Sequence, residues 1–309
     1  MGKKFAKNYD LSSLEKRNLF SRGLFSFFLL FSVGFVAIFI LLTLVSLFLF
    51  SLPAFRHNGW NILFGTNWDP NVDSYGGLPF IVGTFITAIL AILISLPFSI
   101  SLALFLGEYQ SEGWLSSFLK SAVRLLAGIP SVIYGMWGLF LLVPIIQKWQ
   151  LALVPWGVVP LGVGIFTASL VLAIMIIPYS TSIAYEVIQL VPRDLKEAAL
   201  SLGSPRYKVV TNIVIPYASS GIFAGQVLAF GRALGETMVV TMVIGNLNQL
   251  PTSIFSAGNT IASVIANEYA ESTGLHTTSL TELGLILLLF TIVFSFVGQK
   301  IIKAIAVEK

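Results

Sequence analysis

Arg232 and Glu236 stand four residues apart in Gly231-Arg232-Ala233-Leu234-Gly235-Glu236-Thr237, inside the apolar stretch from Tyr217 to Ile244. An ionised side chain at the centre of a bilayer costs roughly 2.5 to 3.5 kcal/mol, so a buried arginine and glutamate mark a pathway or a site. On one helix the two share a face and can pair, and a purely structural ion pair between helices is one reading of them. Such a pair is weak support for stability, because desolvation offsets the Coulomb gain. A guanidinium is also a planar donor fork that fits an oxyanion bidentately and stays charged when partly desolvated. Glu236 suits one kind of oxyanion: inorganic phosphate keeps a P–OH near neutral pH that a carboxylate can accept, whereas sulfate has none. Arg232 is thus a candidate way-station for an anion, and Glu236 its partner until substrate arrives. Thr237 is a hydroxyl beside them.

The elements that carry these charges belong to a membrane. Hydrophobic residues make up 56% of the 309 and charged ones 10%, with charge-free runs far beyond an ordinary soluble helix of about 11 to 12 residues. Windows longer than about 18 residues predict six spans, near 24–50, 78–106, 123–146, 158–185, 217–245 and 283–302. The first is too long for a signal-peptide core and lacks a small-residue cleavage site, so it is expected to remain as an anchor. The expected organisation is an all-α integral membrane protein: a tail over 1–23, one transmembrane domain over 24–305 with a long loop at 186–216, and a tail over 306–309.

Lysine and arginine set the orientation. With the N-terminus inside, the inner segments hold Lys3, Lys4, Lys7, Lys16, Arg17, Arg22, Lys120, Arg124, Arg193, Lys196, Arg206, Lys208, Lys300, Lys303 and Lys309, and the outer loops only Arg56 and Lys148. The segment 246–282 carries Glu268, Glu271 and Glu282 without a basic residue, which fits the outside. Both termini are expected in the cytoplasm. The net charge of +4 therefore reports topology, and nucleic-acid binding is excluded as its explanation. Without cysteine there is no disulfide, thiolate metal site or Cys lipid anchor. His57 and His276 are too few for a histidine metal site and are expected in solvated loops.

The loop before the fifth span reads as two short helices. Pro192 suits a first helical position, Asp194 a first turn, Gly203 a left-handed cap, and Ser204-Pro205 a second start. Leu195, Ala198, Ala199 and Leu202 recur at offsets of 0, 3, 4 and 7, an apolar stripe that could seat in another protein or lie on the membrane. Glycines at 221 and 225, and at 231 and 235, repeat a spacing that lets helix backbones approach. Pro130 and Gly135 weaken the third span, and Ser131 and Tyr134 are candidate lining groups for a cavity there. Trp137 reads as packing or an interface anchor. The segment 251–266 suits either a partial helix dipping back beside a pore or a plain outer loop.

Glu197-Ala198-Ala199, three residues, Gly203, nine residues and Ile213-Val214-Ile215-Pro216 resemble the EAA loop of type I ABC-importer permeases, with Ile215 where that family has leucine. The resemblance implies that Leu195, Glu197, Ala198, Ala199 and Gly203 belong to a helix that docks on an ATPase subunit. No GxxxxGK[ST] loop occurs in the chain, so the resemblance puts ATP and Mg on the partner, with no cofactor and no catalysis here. Trp68-Asp69-Pro70 with Tyr75 to Thr84, Gly128 to Phe140, and Gly231 to Asn246 look like the PstC family, one of two permease subunits of high-affinity phosphate importers. This implies a PstA-like permease as heterodimer partner, two PstB-like ATPases and an extracytoplasmic PstS-like phosphate-binding protein, in the cytoplasmic membrane of a prokaryote. A permease for another oxyanion is the nearest alternative. An ion-coupled secondary transporter leaves the docking loop without a role, and a membrane scaffold explains neither charged feature.

Overall fold

A computed structural model describes residues 11–110 and 112–305, with side chains from Phe25 onward. Ser111 and the C-terminal tail 306–309 lie outside the described residues, as does the N-terminal tail up to Asp10. The chain forms two compact units, 1–50 and 51–309. Six helical stretches are long and apolar enough to cross a membrane: Phe25–Asn58, Leu78–Tyr109, Ser131–Leu151, Ile165–Gln189, Arg206–Leu234 and Leu275–Ile305.

Helix α1 (Leu11–Asn58) opens inside the segment expected as a tail. Between Phe25 and Phe50 it is apolar on all sides and exposed within its unit, the pattern of a helix whose solvent is lipid. It runs past the expected end, through Pro53 to Asn58, so His57 is a helical residue, though an exposed one.

The second unit is built on α3 (Leu78–Leu104) and α7 (Ile165–Gln189), which pack along their lengths. Before them, α2 (Asn61–Phe64) leads into a two-stranded hairpin, β1 (Trp68–Asp69) and β2 (Ser74–Tyr75), turned by Asp73 in the left-handed region. A π-helical turn, Phe105–Tyr109, extends α3.

The third span differs from expectation. Pro130 has no N–H and biases Ile129 to extended backbone (φ −70°, ψ 128°), so the run near 123–146 divides. Its first part joins an amphipathic helix, α4 (Trp114–Gly128), carrying Lys120 and Arg124. Its second part is α5 (Ser131–Trp137), a π-turn at Gly138–Leu142 and α6 (Val143–Leu151).

The 186–216 loop holds α8 (Arg193–Ser201), with Gly203 at φ +82° just past its end, a conformation an L side chain resists. Pro205 then starts α9 (Arg206–Val209), which continues through a π-turn at Val210–Val214 into α10 (Ile215–Leu234). The fifth span is therefore displaced from the expected 217–245. It begins at Arg206, because the π-turn absorbs Pro216, and it stops at Leu234, because Gly235 ends the helix. After Glu236 and Thr237 the chain resumes as α11 (Met238–Val243).

The segment 246–260 folds back. Leu247 donates to Gly258, Gly258 to Ile244, and Ile165 and Phe166 at the start of α7 donate to Ser256 and Ile254. It ends in α12 (Ile261–Glu268), capped reciprocally by Thr260 and Ser263. Gly83 of α3 is needed here, since a Cβ at that position would lie 2.0 Å from the Asn259 carbonyl oxygen. The last helix, α13 (Leu275–Ile305), starts earlier than the expected 283 and includes Glu282.

Candidate functional site

Arg232 lies in the last turn of α10, and Tyr179 lies on α7. At about 1.5 Å per residue, Tyr179 is about 21 Å from the start of α7 and about 15 Å from its end. The arginine therefore sits near mid-height of the most buried span. Its guanidinium carbon lies over the Tyr179 ring, 4.1 Å from the centroid.

The expected pairing with Glu236 is absent. Gly235 takes φ −93°, ψ 1° and ends α10, so Glu236 is not one turn further along the same helix face. Among the described residues the two form no ion pair, and neither side chain makes a hydrogen bond; the Arg232 Nε is fully buried without an acceptor. A buried guanidinium donor with no protein acceptor costs about 1 to 3 kcal/mol. Arg232 itself borders a cavity of about 490 Å³ with Tyr179, Leu228, Gly231, Ser295 and Gln299. Glu236 and Thr237 are half-buried in the non-helical segment, where the Thr237 hydroxyl donates to the Gly235 carbonyl at 3.4 Å.

The glycines divide by role. A Cβ on Gly221 would meet the Val187 methyls at 2.5 Å, and one on Gly225 would meet Ile183 at 3.2 Å, so this pair seats α10 on α7. Around Gly231 nothing lies within 4 Å, and around Gly235 only the Gly231 carbonyl at 3.9 Å, so the second pair opens onto free space.

Tyr134 is buried and commits its hydroxyl to the Leu126 carbonyl at 2.9 Å; Tyr179 donates likewise to the Ala127 carbonyl at 2.8 Å. Both acceptors are last-turn carbonyls of α4, and the Leu126 oxygen also accepts from the Ile129 N–H at 3.3 Å. Tyr134 thus ties α5 to the end of α4, where Tyr179 is tied as well, and Ser131 is half-buried at the start of α5.

A second candidate surface is α8, none of whose residues is buried. Glu197 and Ala198 are exposed, Ala199 half-buried, Leu195 45% exposed and Leu202 87% exposed. Beneath it Lys196 meets Glu108 at 2.5 Å, with both side chains largely buried, and Arg206 reaches the Glu108 carbonyl at 3.4 Å while covering the Tyr109 ring. The helix is therefore fastened to the end of the second span while its apolar stripe stays open. Sequence reasoning placed Lys196 in the loop but had no signal for Glu108, 88 residues earlier.

At the opposite end of α3, Glu268 is a hub. Its Oε2 accepts from Trp68 Nε1 and His276 Nε2, both at 2.9 Å, and its Oε1 accepts from Asn248 at 2.9 Å. His276 is consequently a partly buried helical residue stacked on Tyr75, not the solvated loop residue expected. Burial, with Asp73 nearby, raises the Tyr75 hydroxyl from 10.0 to about 12. Glu282, expected as an outer-loop charge, is fully buried; Asn58 donates to its Oε2 at 2.9 Å, while its Oε1 has no hydrogen-bond partner. No group of three or more His, Asp or Glu able to hold a metal occurs among the described residues.

Residues 95–306 match the family described as the binding-protein-dependent transport system inner membrane component. The phosphate transport system permease protein PstC of Pasteurella multocida is 45% identical over 287 residues, covering 88% of this chain and 89% of that one. The chain belongs to the PstC family. Across a greater distance, a probable PstC of Methanocaldococcus jannaschii is 34% identical over 283 residues, covering 86% of this chain and 89% of its own. The methionine ABC transporter MetNI, in an inward-facing conformation, is similar in fold with a TM-score of 0.53 at 18% identity, over 72% of this chain and 91% of that one. An amino acid ABC transporter gives a TM-score of 0.50 at 19% identity, over 73% and 92%. This PstC-family chain is thus a multi-pass membrane component of an ABC transport system with the helical architecture of importer permeases.

Proposed function

We propose that this chain is the permease subunit of an ATP-driven importer that carries inorganic phosphate across the cytoplasmic membrane of a prokaryote. The observation that carries the reading is the Arg232 guanidinium: mid-height, half-buried, without a protein acceptor, and bordering a cavity. A cation left with unmet donors in an apolar span is a receptor for an oxyanion, which supplies both charge and acceptors. The names of its relatives favour phosphate among the oxyanions. In the proposed path Arg232 is the way-station, Glu236 and Thr237 line the adjoining break, and Tyr134 and Ser131 form the wall. Glu236 keeps the role of accepting a P–OH, but its earlier role as arginine's counter-ion is dropped.

The lysine and arginine distribution supports cytoplasmic termini, which puts α8 in the cytoplasm and the hairpin and α12 outside. The exposed stripe of Leu195, Ala198 and Leu202, with Glu197, Ala199 and Gly203 shaping the helix and its cap, is proposed to dock an ATPase subunit. In this assembly the chain pairs with a PstA-like permease above two PstB-like ATPases that hold ATP and Mg, receives phosphate from a PstS-like binding protein, and performs no catalysis itself.

Uptake by the assembled transporter tests the reading. Arg232→Lys keeps the charge and loses the fork, and is expected to lower the rate about tenfold, equivalent to about 1.4 kcal/mol. Glu236→Gln is expected to weaken the preference for phosphate over sulfate in competition assays. Full transport by the lysine variant together with unchanged selectivity in the glutamine variant would rule out these roles.

A further inference from the structure

We propose that Tyr179 is a positioning residue for transport: its ring face holds the Arg232 guanidinium while leaving the terminal N–H donors free for the anion. This rests on the anion-pathway reading above. Of the cation–ring contacts among the described residues, this one is the shortest, 4.1 Å against 4.8 to 5.5 Å for the three others. A guanidinium seated over a ring face is held by its π surface, and its N–H groups point outward along the edge. A carboxylate in the same place would occupy those donors and compete with the incoming anion. The ring competes for neither charge nor hydrogen bonds.

The ring is itself held. The Tyr179 hydroxyl donates to the Ala127 carbonyl at 2.8 Å, which anchors its far end to the last turn of α4. Donation by the phenol increases electron density on the oxygen and ring, which strengthens attraction for a cation over the face. Tyr134 fixes the neighbouring Leu126 carbonyl, so two tyrosines from two helices close the end of α4 beside the arginine. The Arg232 Nε remains buried and unmatched, so no acceptor on the protein duplicates what the ring does.

The complete transporter, purified and reconstituted in lipid vesicles with its ATPase subunits, is assayed for phosphate uptake against rising binding-protein concentration. Tyr179→Phe keeps the ring, and Tyr179→Met keeps the bulk without it. The expected result is a turnover within about twofold of the parent for Phe and at least tenfold lower for Met, with the half-saturating binding-protein concentration unchanged in both. Equal losses in Phe and Met would assign the effect to the hydroxyl tie and overturn the proposal. Parental turnover in Met, with Arg232→Ala inactive, would overturn the positioning role and leave the pathway standing. Parental turnover in Arg232→Ala would overturn both. Should the Met variant fail to assemble, Tyr179→Trp with Tyr179→Phe decides: transport by both supports the ring, and loss in both contradicts it.

Discussion

Replacing Glu268 by glutamine should destabilise the fold although it alters one atom's chemistry. The carboxylate satisfies three donors, Trp68 and His276 through Oε2 and Asn248 through Oε1. An amide has one accepting end. If its oxygen serves Trp68 and His276, its NH2 faces the Asn248 NH2. Asn248 cannot turn over in response, because its Oδ1 accepts from Asn259 at 2.8 Å, and the Asn259 Oδ1 accepts in turn from the Thr260 N–H and the Ser263 hydroxyl. The chain of donors runs one way and ends on Glu268. One opposed donor pair in place of a charge-assisted bond costs about 1.5 to 3 kcal/mol when dry. Glu268 is 23% exposed, so partial hydration reduces this to about 1 to 2 kcal/mol. Glu268→Ala strands all three donors and should cost about 2 to 4 kcal/mol. Equilibrium unfolding in mixed micelles measures both, and chymotryptic cleavage near Leu247 or Phe255 should accelerate in the same order. A glutamine variant within about 0.5 kcal/mol of the parent, beside a clearly weakened alanine variant, would refute the one-way network.

The two glycine pairs should respond in opposite ways. Gly221→Val drives a side chain into Val187, already 2.5 Å from an added Cβ, and should cost about 1 to 3 kcal/mol by unfolding in micelles, whereas Gly231→Ala should change stability by less than about 0.5 kcal/mol. Glu108→Ala leaves the Lys196 ammonium largely buried without its partner and should lower stability by about 2 to 3 kcal/mol. The exchange Glu108→Lys with Lys196→Glu should recover most of that loss and the ATP-driven uptake, which a double-mutant cycle measures.

The charge at Arg232 was legible because an ionised group in an apolar run has few explanations, and the short helix α8 because its proline, acidic first turn and Gly203 cap are local signals. Helical periodicity assigned Glu236 to the face of Arg232, but a single glycine ended the helix between them. His276 and Glu282 looked like loop residues because their charge or polarity closed the apolar window, while the partners they meet in α13, Glu268 and Asn58, lie 8 and 224 residues away in sequence. Tyr179 was invisible for the opposite reason. An aromatic inside an apolar run looks like packing, and nothing in the order of residues shows that an arginine 53 positions later will cover it.

The most direct test of the pathway is Arg232→Ala in the reconstituted transporter, with phosphate uptake and ATP hydrolysis followed together. Loss of at least 100-fold in uptake, with the assembled complex still hydrolysing ATP when the loaded binding protein docks, is the predicted result. Uptake at the parental rate would contradict the assignment of Arg232 as the anion's way-station.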